Sequence, residues 1–588
     1  MASPTGASSL LRFGAFELDT VNGELRKAGV SLKIHPQPLQ VLLLLAEHAG
    51  QTVTREEIQR CVWGNNTFVD FERGINFCVS QIRATLGDDA EKPRYVETLP
   101  RRGYRFVAPV SIDAAPTASA ARERISERPM DENFPSLAVL PFENLSGDPA
   151  QDYFAEGMTE TLITELGKIS ALRVISRQST MQYKGTKKTV PQIAGELKID
   201  AVVEGSVLCV GDRVRVSAQL IEAAPERHLW ADSYDRRFHD VLALHSEIAR
   251  TVAKQIKVTL TPQEETRLAG GRGVNPAASE AYFRSRYFLD RRTKADIAEA
   301  LVATEQAIEL DPTFAPAYAS QSEVYLALRL YEPTRETELL AKAQAASLKA
   351  LELDDSLSAA HYTLAAIHGT AWDWSGAEVE YRRAIELNPS NALAHLWYSD
   401  LLIILGRVTE AEAEGRRAEE LDPISLQVYF AVSAHLYYAR RYRELIEHCQ
   451  GWVKRNPNLE WNYHHCLGAA YVQMGRYKEG IEELRGALKS STIYEHTATE
   501  LANALAVAGE RKEALQVLDR VENVPWNTFG AALVHSGLGE KDEAFRSLQS
   551  AIDLRAPLVI LLRVDPRFDS LRQDPHFQNI LRRINLTQ

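Results

Sequence analysis

PRYVETLPRRGYRFVAPV (93–110) decides how the first part of this 588-residue chain folds. Two β-rich runs, Tyr95–Leu99 and Tyr104–Pro109, flank Pro100–Gly103, a turn with two arginines at its tip. That pattern reads as a hairpin. Working back from it, IRATLGDD (82–89) ends a helix predicted over Phe71–Leu86. At about 100° per residue, Ile75, Val79, Ile82 and Leu86 fall on one stripe, which must face the core. Arg73, Asn76, Phe77, Ser80, Gln81 and Ala84 face the other way. Thr54-Arg-Glu-Glu57 is a capping box that starts a second helix running to Trp63, and Gly64–Asp70 is the loop after it. Pro38–His48 reads as the first helix, preceded by β-runs at Leu11–Leu18, Glu24–Lys27 and Val30–Ile34. A small sheet, three helices and a hairpin make an α+β winged helix over residues 10–110.

These blocks, REEIQRCVWG (55–64), IRATLGDD (82–89) and PRYVETLPRRGYRFVAPV (93–110), resemble the OmpR-type winged helix in the CadC, ToxR and HilA variety. The resemblance implies a transcription regulator that binds double-stranded DNA. The helix at 71–86 would enter the major groove, where small, amide and guanidinium side chains read base edges. On that reading Arg73 pairs with guanine, Asn76 and Gln81 with adenine, and Phe77 meets a thymine methyl; Ser80 lies on the same face and Arg83 suits a flanking phosphate. Arg101, Arg102, Tyr104 and Arg105 on the hairpin would reach the minor groove or flanking phosphates. The loop 64–70 matches the place where activating relatives touch RNA polymerase. Gln81, Ala84 and Thr85 stand where the family is more basic. Residues 1–110 carry 13 Lys/Arg against 12 Asp/Glu, so modest affinity, raised by a homodimer, is expected.

The net charge of -12 excludes a chain that coats nucleic acid along its whole length. The five cysteines form no C-x-x-C pair, which argues against a disulfide framework or a zinc site and fits a reducing cytosol. No secretory signal opens the sequence, and the longest apolar runs are far below the ~18 residues that span a bilayer. A cytoplasmic protein without membrane contact is expected.

Residues 111–135 are rich in Ala, Ser, Pro and charge and read as a linker. From 136 to 260, strands and helices alternate. Strands are predicted at Leu137–Leu140, Leu172–Ile175, Ala201–Val207 and Val214–Leu220; helices at Met158–Leu166, Val190–Leu197 and Val241–Val258. This segment resembles the TolB-like α/β domain that precedes repeat arrays in bacterial regulators and cyclases, which implies a binding module.

From 275 to 588 the sequence repeats. Paired residues seven apart recur: Ala300/Ala307, Ala343/Ala350, Ala377/Ala384, Ala411/Ala418, Leu445/Trp452, Gly480/Ala487, Ala514/Val521 and Ala544/Ala551. After a first interval of 43, which places an insertion around Tyr331–Thr337, the spacing stays near 34. Two helices in about 34 residues is the tetratricopeptide (TPR) period, and LGAAYVQMGRYKEGIEELRGAL (467–488) resembles its consensus. About eight units of this kind stack into an all-α superhelix whose concave face would take a protein or peptide.

No residue set points to catalysis. Gly167-Lys168 lacks the rest of a phosphate-binding loop, and neither H-E-x-x-H nor G-x-S-x-G occurs. His464, His465 and Cys466 point apart on one helix, and Glu143, Asp148 and Asp152 read as loop or cap carboxylates. No cyclase catalytic domain is expected. A non-enzymatic regulator without cofactor or metal is therefore expected; the alternative is a TPR scaffold whose winged helix contacts protein.

Overall fold

The computed structural model describes residues 9–586 apart from 15, 20–23, 28–29, 32–35, 56, 59–70, 90–92, 100–101, 109, 115–134, 211–212, 225, 238–240, 270–273, 457–459, 490–493 and 522–527. Two compact units result, Met1–Asp131 and Glu132–Gln588.

In the first unit, strands β1 (Ser9–Phe13), β2 (Phe16–Asp19), β3 (Glu24–Lys27), β4 (Val30–Ser31) and β8 (Ser111–Ala114) form an antiparallel sheet in the order β4-β3-β2-β1-β8. The single run expected at Leu11–Leu18 is a hairpin instead, turned at Gly14, whose φ of 58° suits glycine. Residues 111–114, expected in the linker, are a strand paired with β1. Helix α1 (Pro36–Glu47) starts two residues earlier than the expected helix, and α2 (Phe71–Leu86) matches it. The capping box forms: the Thr54 backbone N–H donates to Glu57 Oε2 at 2.7 Å, and the Glu57 N–H donates to Thr54 Oγ1 at 3.2 Å. The helix beyond Ile58 and the loop 64–70 lie outside the described residues.

A second sheet, β5 (Thr52–Val53), β7 (Gly103–Phe106) and β6 (Val96–Leu99), carries the hairpin. Both sheets and both helices share one core. Leu11, Phe13, Phe16, Leu18 and Leu25 meet Leu42 and Leu45 of α1, the stripe Ile75, Val79, Ile82 and Leu86 of α2, and Tyr104 and Phe106 of β7.

The second unit begins with a mixed sheet ordered β11-β9-β12-β13-β14, with β10 beside β12. The strands are β9 (Ser136–Val139), β10 (Glu143–Asn144), β11 (Arg173–Val174), β12 (Ala201–Val210), β13 (Arg213–Ala223) and β14 (Glu226–Arg237). β14 is absent from the expected set because its alternation is mostly polar: it is an edge strand facing water, with Tyr234 as its buried residue. Helix α3 (Asp152–Gly167) covers the sheet.

Among the described residues, sixteen further helices pair into eight units: 276–291/294–310, 315–328/336–353, 358–370/374–387, 392–404/408–421, 426–438/442–455, 460–473/477–488, 494–507/511–519 and 528–537/541–553. Each of the eight paired positions begins on the second helix of its unit, and the alanines among them are buried. In the sixth unit a Cβ on Gly468 would lie 2.9 Å from the Gly480 carbonyl oxygen, and the converse distance is also 2.9 Å. Small residues there let two backbones touch.

The α/β domain and the repeats are one body rather than separate modules. Phe283, on the first helix of the first repeat, enters the sheet's core and meets Phe154 edge-on at 5.6 Å. Gly157 accommodates it, since a Cβ there would sit 2.6 Å from the Phe283 ring. Arg286 donates to Glu160 of α3 and to Glu323 of the second repeat, at 2.7 and 2.9 Å. Farther along the array, the Val174 N–H donates to Ser390 Oγ, the Ser176 N–H to the Leu421 carbonyl, and Ser179 Oγ to Asp422.

The C-terminal residues fold back across the third to fifth repeats. In most units the turn passes through the left-handed region, occupied by glycine at 406, 475, 509 and 539 but by Arg292, Trp372 and Arg440 in the first, third and fifth units. A bulky residue in that region is strained. Trp372 and Arg440 touch the C-terminal residues. Arg555 lies 4.7 Å over the Trp372 ring, Asn585 donates to the Trp372 carbonyl, and Arg440 pairs with Asp569 at 2.6 Å. Trp374 Nε1 donates to the Ile584 carbonyl at 2.8 Å. A cavity of about 1950 Å³ remains, lined by α3, by the first helices of the early repeats and by Arg555–Leu561.

The Arg567 side chain, 5% exposed, lies between Asp565 and Glu500, which ties the C-terminal residues to the seventh repeat. Removing the shared cation leaves two buried carboxylates without their partner, so Arg567→Ala is predicted to destabilise the second unit by about 3–5 kcal/mol. Chemical denaturation of the full chain measures this; a change under about 1 kcal/mol contradicts it. Beside this cluster, burial holds the His465 pKa down to about 3, with His496 and Arg567 adding to the effect. His465 is therefore neutral when folded and takes a proton more readily when unfolded. Its contribution is present above about pH 6.5 and is lost as pH falls toward 3. His465→Gln is predicted to flatten the stability profile of the full chain in that window, and an unchanged profile refutes the assignment.

Candidate nucleic-acid interface

The buried stripe of α2 fixes which face is presented to solvent. Asn76 and Ser80 are exposed, Gln81 and Arg83 half-buried. The side chains of Arg73, Phe77 and Ala84, and the whole of Arg101, lie outside the described residues. Cys78, on the inner side, is core, and burial pushes its thiol pKa up.

The wing is tied to α2 at several points. Just after the helix, the Asp88 carboxylate accepts the backbone N–H groups of Arg94, Tyr95 and Val96 at 2.6, 3.2 and 2.8 Å. Arg83 Nη2 donates to the Val96 carbonyl and to Thr98 Oγ1, both at 2.8 Å. Gly103 has φ 136°, and a Cβ there would lie 2.1 Å from the Val53 carbonyl oxygen, so only glycine allows β7 to lie against β5. Arg102 is exposed at the tip, its N–H donating to the Leu99 carbonyl.

Other residues expected at the interface are engaged within the protein. Arg105 makes a cross-strand ion pair with Glu97 at 2.6 Å. Tyr104 is buried at 2% exposure, and its hydroxyl donates to Asn76 Oδ1 at 2.8 Å. Arg55, at the start of the second helix, completes this cluster. It donates to the Tyr104 oxygen at 3.1 Å and to Asn76 Oδ1 at 3.3 and 3.4 Å, and its guanidinium lies 5.2 Å from the Tyr104 ring centroid. Together, Asn76, Ser80, Arg83, Thr98 and Tyr104 with Arg55 line a shallow depression between α2 and the wing. Arg55 and Asp88 are absent from the sequence-predicted set. The position of Arg55 directly after the N-cap Thr54 was the available signal, but which element it faces depends on how the helices cross.

Residues 29–106 match the family model "Transcriptional regulatory protein, C terminal". The first unit carries an OmpR-type winged helix. Residues 132–251, which hold the mixed sheet of the second unit, match "HilA/YgeH-like transcriptional regulator, second domain". The chain is 22% identical over 303 residues to the transcriptional regulator HilA of Salmonella typhimurium (strain LT2), covering 51% of this chain and 50% of that protein. It is 42% identical over 188 residues to a Rhizobium meliloti (strain 1021) protein named as a candidate adenylate cyclase, covering 32% of each. A solved structure of the Klebsiella pneumoniae RstA DNA-binding domain with the RstA box is 27% identical, covers 17% of this chain and 96% of that one, and has a TM-score of 0.16. The chain spans 32% and 50% of the length of these two curated relatives.

Asp88 holds three wing amides with one carboxylate, and a buried N–H left without its acceptor costs about 1–3 kcal/mol. Asp88→Ala is therefore predicted to speed amide exchange across Arg94–Leu99 by roughly tenfold or more while α1 stays protected. Hydrogen exchange on the full chain measures it, and equal protection of the wing in both proteins rules the anchor out.

Proposed function

We propose that this chain is a cytoplasmic transcription regulator. Its winged helix binds double-stranded DNA, while its α/β domain and TPR-like repeats receive the regulatory signal. The observation that carries the reading is an exposed polar face on α2 beside a hairpin with Arg102 at its tip, both held by one core. The HilA-like match of the following domain supports it. Arg73, Asn76, Phe77, Ser80 and Gln81 would face base edges, and Arg101 and Arg102 would meet phosphate or the minor groove. Arg83, Tyr104 and Arg105 serve the interface by positioning, since their polar groups bond to the wing, to Asn76 and to Glu97.

The α/β domain is proposed to be TolB-like, a binding module without catalysis. RNA polymerase at the loop 64–70, and a homodimer that raises affinity, are further parts of the proposal. A protein or peptide partner for the repeat array is a further part of the proposal; it would share the array with the chain's own C-terminal residues, which contact the third and fifth repeats through Trp374–Ile584 and Arg440–Asp569. No helix among the described residues is long and apolar enough to cross a membrane.

Two measurements test the reading. Replacing Arg101 and Arg102 together by Ala should weaken binding to every promoter fragment and flatten the slope of log affinity against log salt by roughly 0.9 for each phosphate no longer neutralised; an unaltered slope removes the wing from the interface. Residues 1–115, fused to an unrelated dimeriser, should bind the same promoter site as the full chain in gel shifts. A folded dimeric fragment that does not find the site would place part of the recognition in the second unit.

A further inference from the structure

We infer that Arg55 is a positioning residue for base reading. Together with Tyr104 it occupies the amide oxygen of Asn76, so that Asn76 offers DNA only its Nδ2 donor. It then reads a base acceptor rather than adenine's paired donor and acceptor. The inference rests on the winged-helix reading above and names what one position of that interface recognises.

The direction of each bond follows from chemistry. A guanidinium has five donors and no acceptor, so the Asn76 atom that faces Arg55 must be the oxygen. The Tyr104 hydroxyl accepts a hydrogen bond from Arg55 at 3.1 Å and donates its own to Asn76 Oδ1 at 2.8 Å. Arg55 reaches the same oxygen at 3.3 and 3.4 Å. A carbonyl oxygen has two lone pairs, and here donors from two side chains claim them. The amide NH2 is bonded to none of these groups, and Asn76 is exposed on the face of α2 opposite the core stripe.

Bidentate recognition of adenine needs the amide oxygen to accept from N6 while the nitrogen donates to N7. With the oxygen taken, the first half is lost. A donor alone is satisfied by N7 of either purine, and guanine adds O6 as a second acceptor in the same groove. The site governed by Asn76 therefore favours guanine over adenine. Arg55 holds this preference in place without touching the base: it stacks on a ring that the core itself fixes, since Tyr104 is buried.

The test selects binding sites from a randomised duplex library with the full chain and its variants. Asn76→Ala identifies the base position that Asn76 governs, as the one whose preference disappears. At that position the wild type should take guanine over adenine. Tyr104→Phe keeps the packed ring and removes one donor, and Arg55→Ala removes the other. Both should move the position toward adenine by roughly tenfold relative to guanine, within the range of one bidentate contact. Arg55→Lys, which keeps a donor, should stay nearer the wild type than Arg55→Ala. A purely structural role would lower affinity for all sequences alike and leave the preference in place; that result overturns the inference. Adenine preferred by the wild type overturns it as well, as does an Asn76→Ala variant that weakens all sites equally, because the contact is then to phosphate. Failure of the wild type to select any site would fell the DNA-binding reading itself, and this inference with it.

Discussion

Burial of one stripe of α2 is the constraint on which the N-terminal unit depends. Ile75, Val79, Ile82 and Leu86 fill the space between the two sheets and α1, so the helix cannot roll about its axis without exposing them. Its opposite face is thereby fixed outward. The wing then acquires a set height relative to that face through Asp88, which holds three amides of the chain leading into β6, and through Arg83, which reaches across to Val96 and Thr98. An interface that reads DNA has to present helix and hairpin at one spacing, and these bonds set it. Arg83 and Arg105 carry charge, but their hydrogen bonds go to the protein.

Close approach of backbones organises the second unit. Small residues on the second helix of most repeats let paired helices approach closely, until backbone meets backbone at Gly468 and Gly480, while the fifth repeat has Leu445 and Trp452 there. Stacking eight such units generates an inner face. Here that face is partly used by the chain itself. Phe283 and Arg286 fasten its beginning to the α/β domain, and Trp372, Trp374 and Arg440 fasten its middle to the C-terminal residues. The left-handed turns at Trp372 and Arg440 would favour glycine in isolation. Both side chains meet the C-terminal residues, whereas the left-handed Arg292 of the first unit accepts from the Tyr331 hydroxyl through its carbonyl, and the glycines at 475, 509 and 539 have open space around them.

Local pattern was enough for a large share of this protein. The stripe of α2, the capping box at Thr54 and Glu57, the hairpin around Gly103 and the paired small residues of the repeats follow from periodicities of 3.6, 2 and 34 residues and from turn chemistry, which act between neighbours in sequence. Patterns that cancel were missed. Gly14 divides one apolar run into two strands, and β14 carries a polar alternation that resembles a loop. Residues 111–114 look like linker because four residues beside a stretch rich in Ala, Ser and Pro carry no period of their own; their strand exists because β1 has a free edge to pair with.

The candidate site divides in the same way. Sequence by itself determined which residues of α2 face outward, because a helix has one period and a core needs the apolar side. It also determined that arginine sits at the hairpin tip. Only the tertiary structure decided which of those groups remain free for DNA. Arg55 lies 21 residues from Asn76, and Tyr104 a further 28 beyond it; they meet because two helices and a sheet are packed in one core. Hydrogen bonds between such distant groups depend on the crossing of elements, and no local period encodes that. The same holds for the second unit, where 210 residues separate Trp374 from the carbonyl it bonds, and closure of the array appears only when eight repeats have been stacked in space.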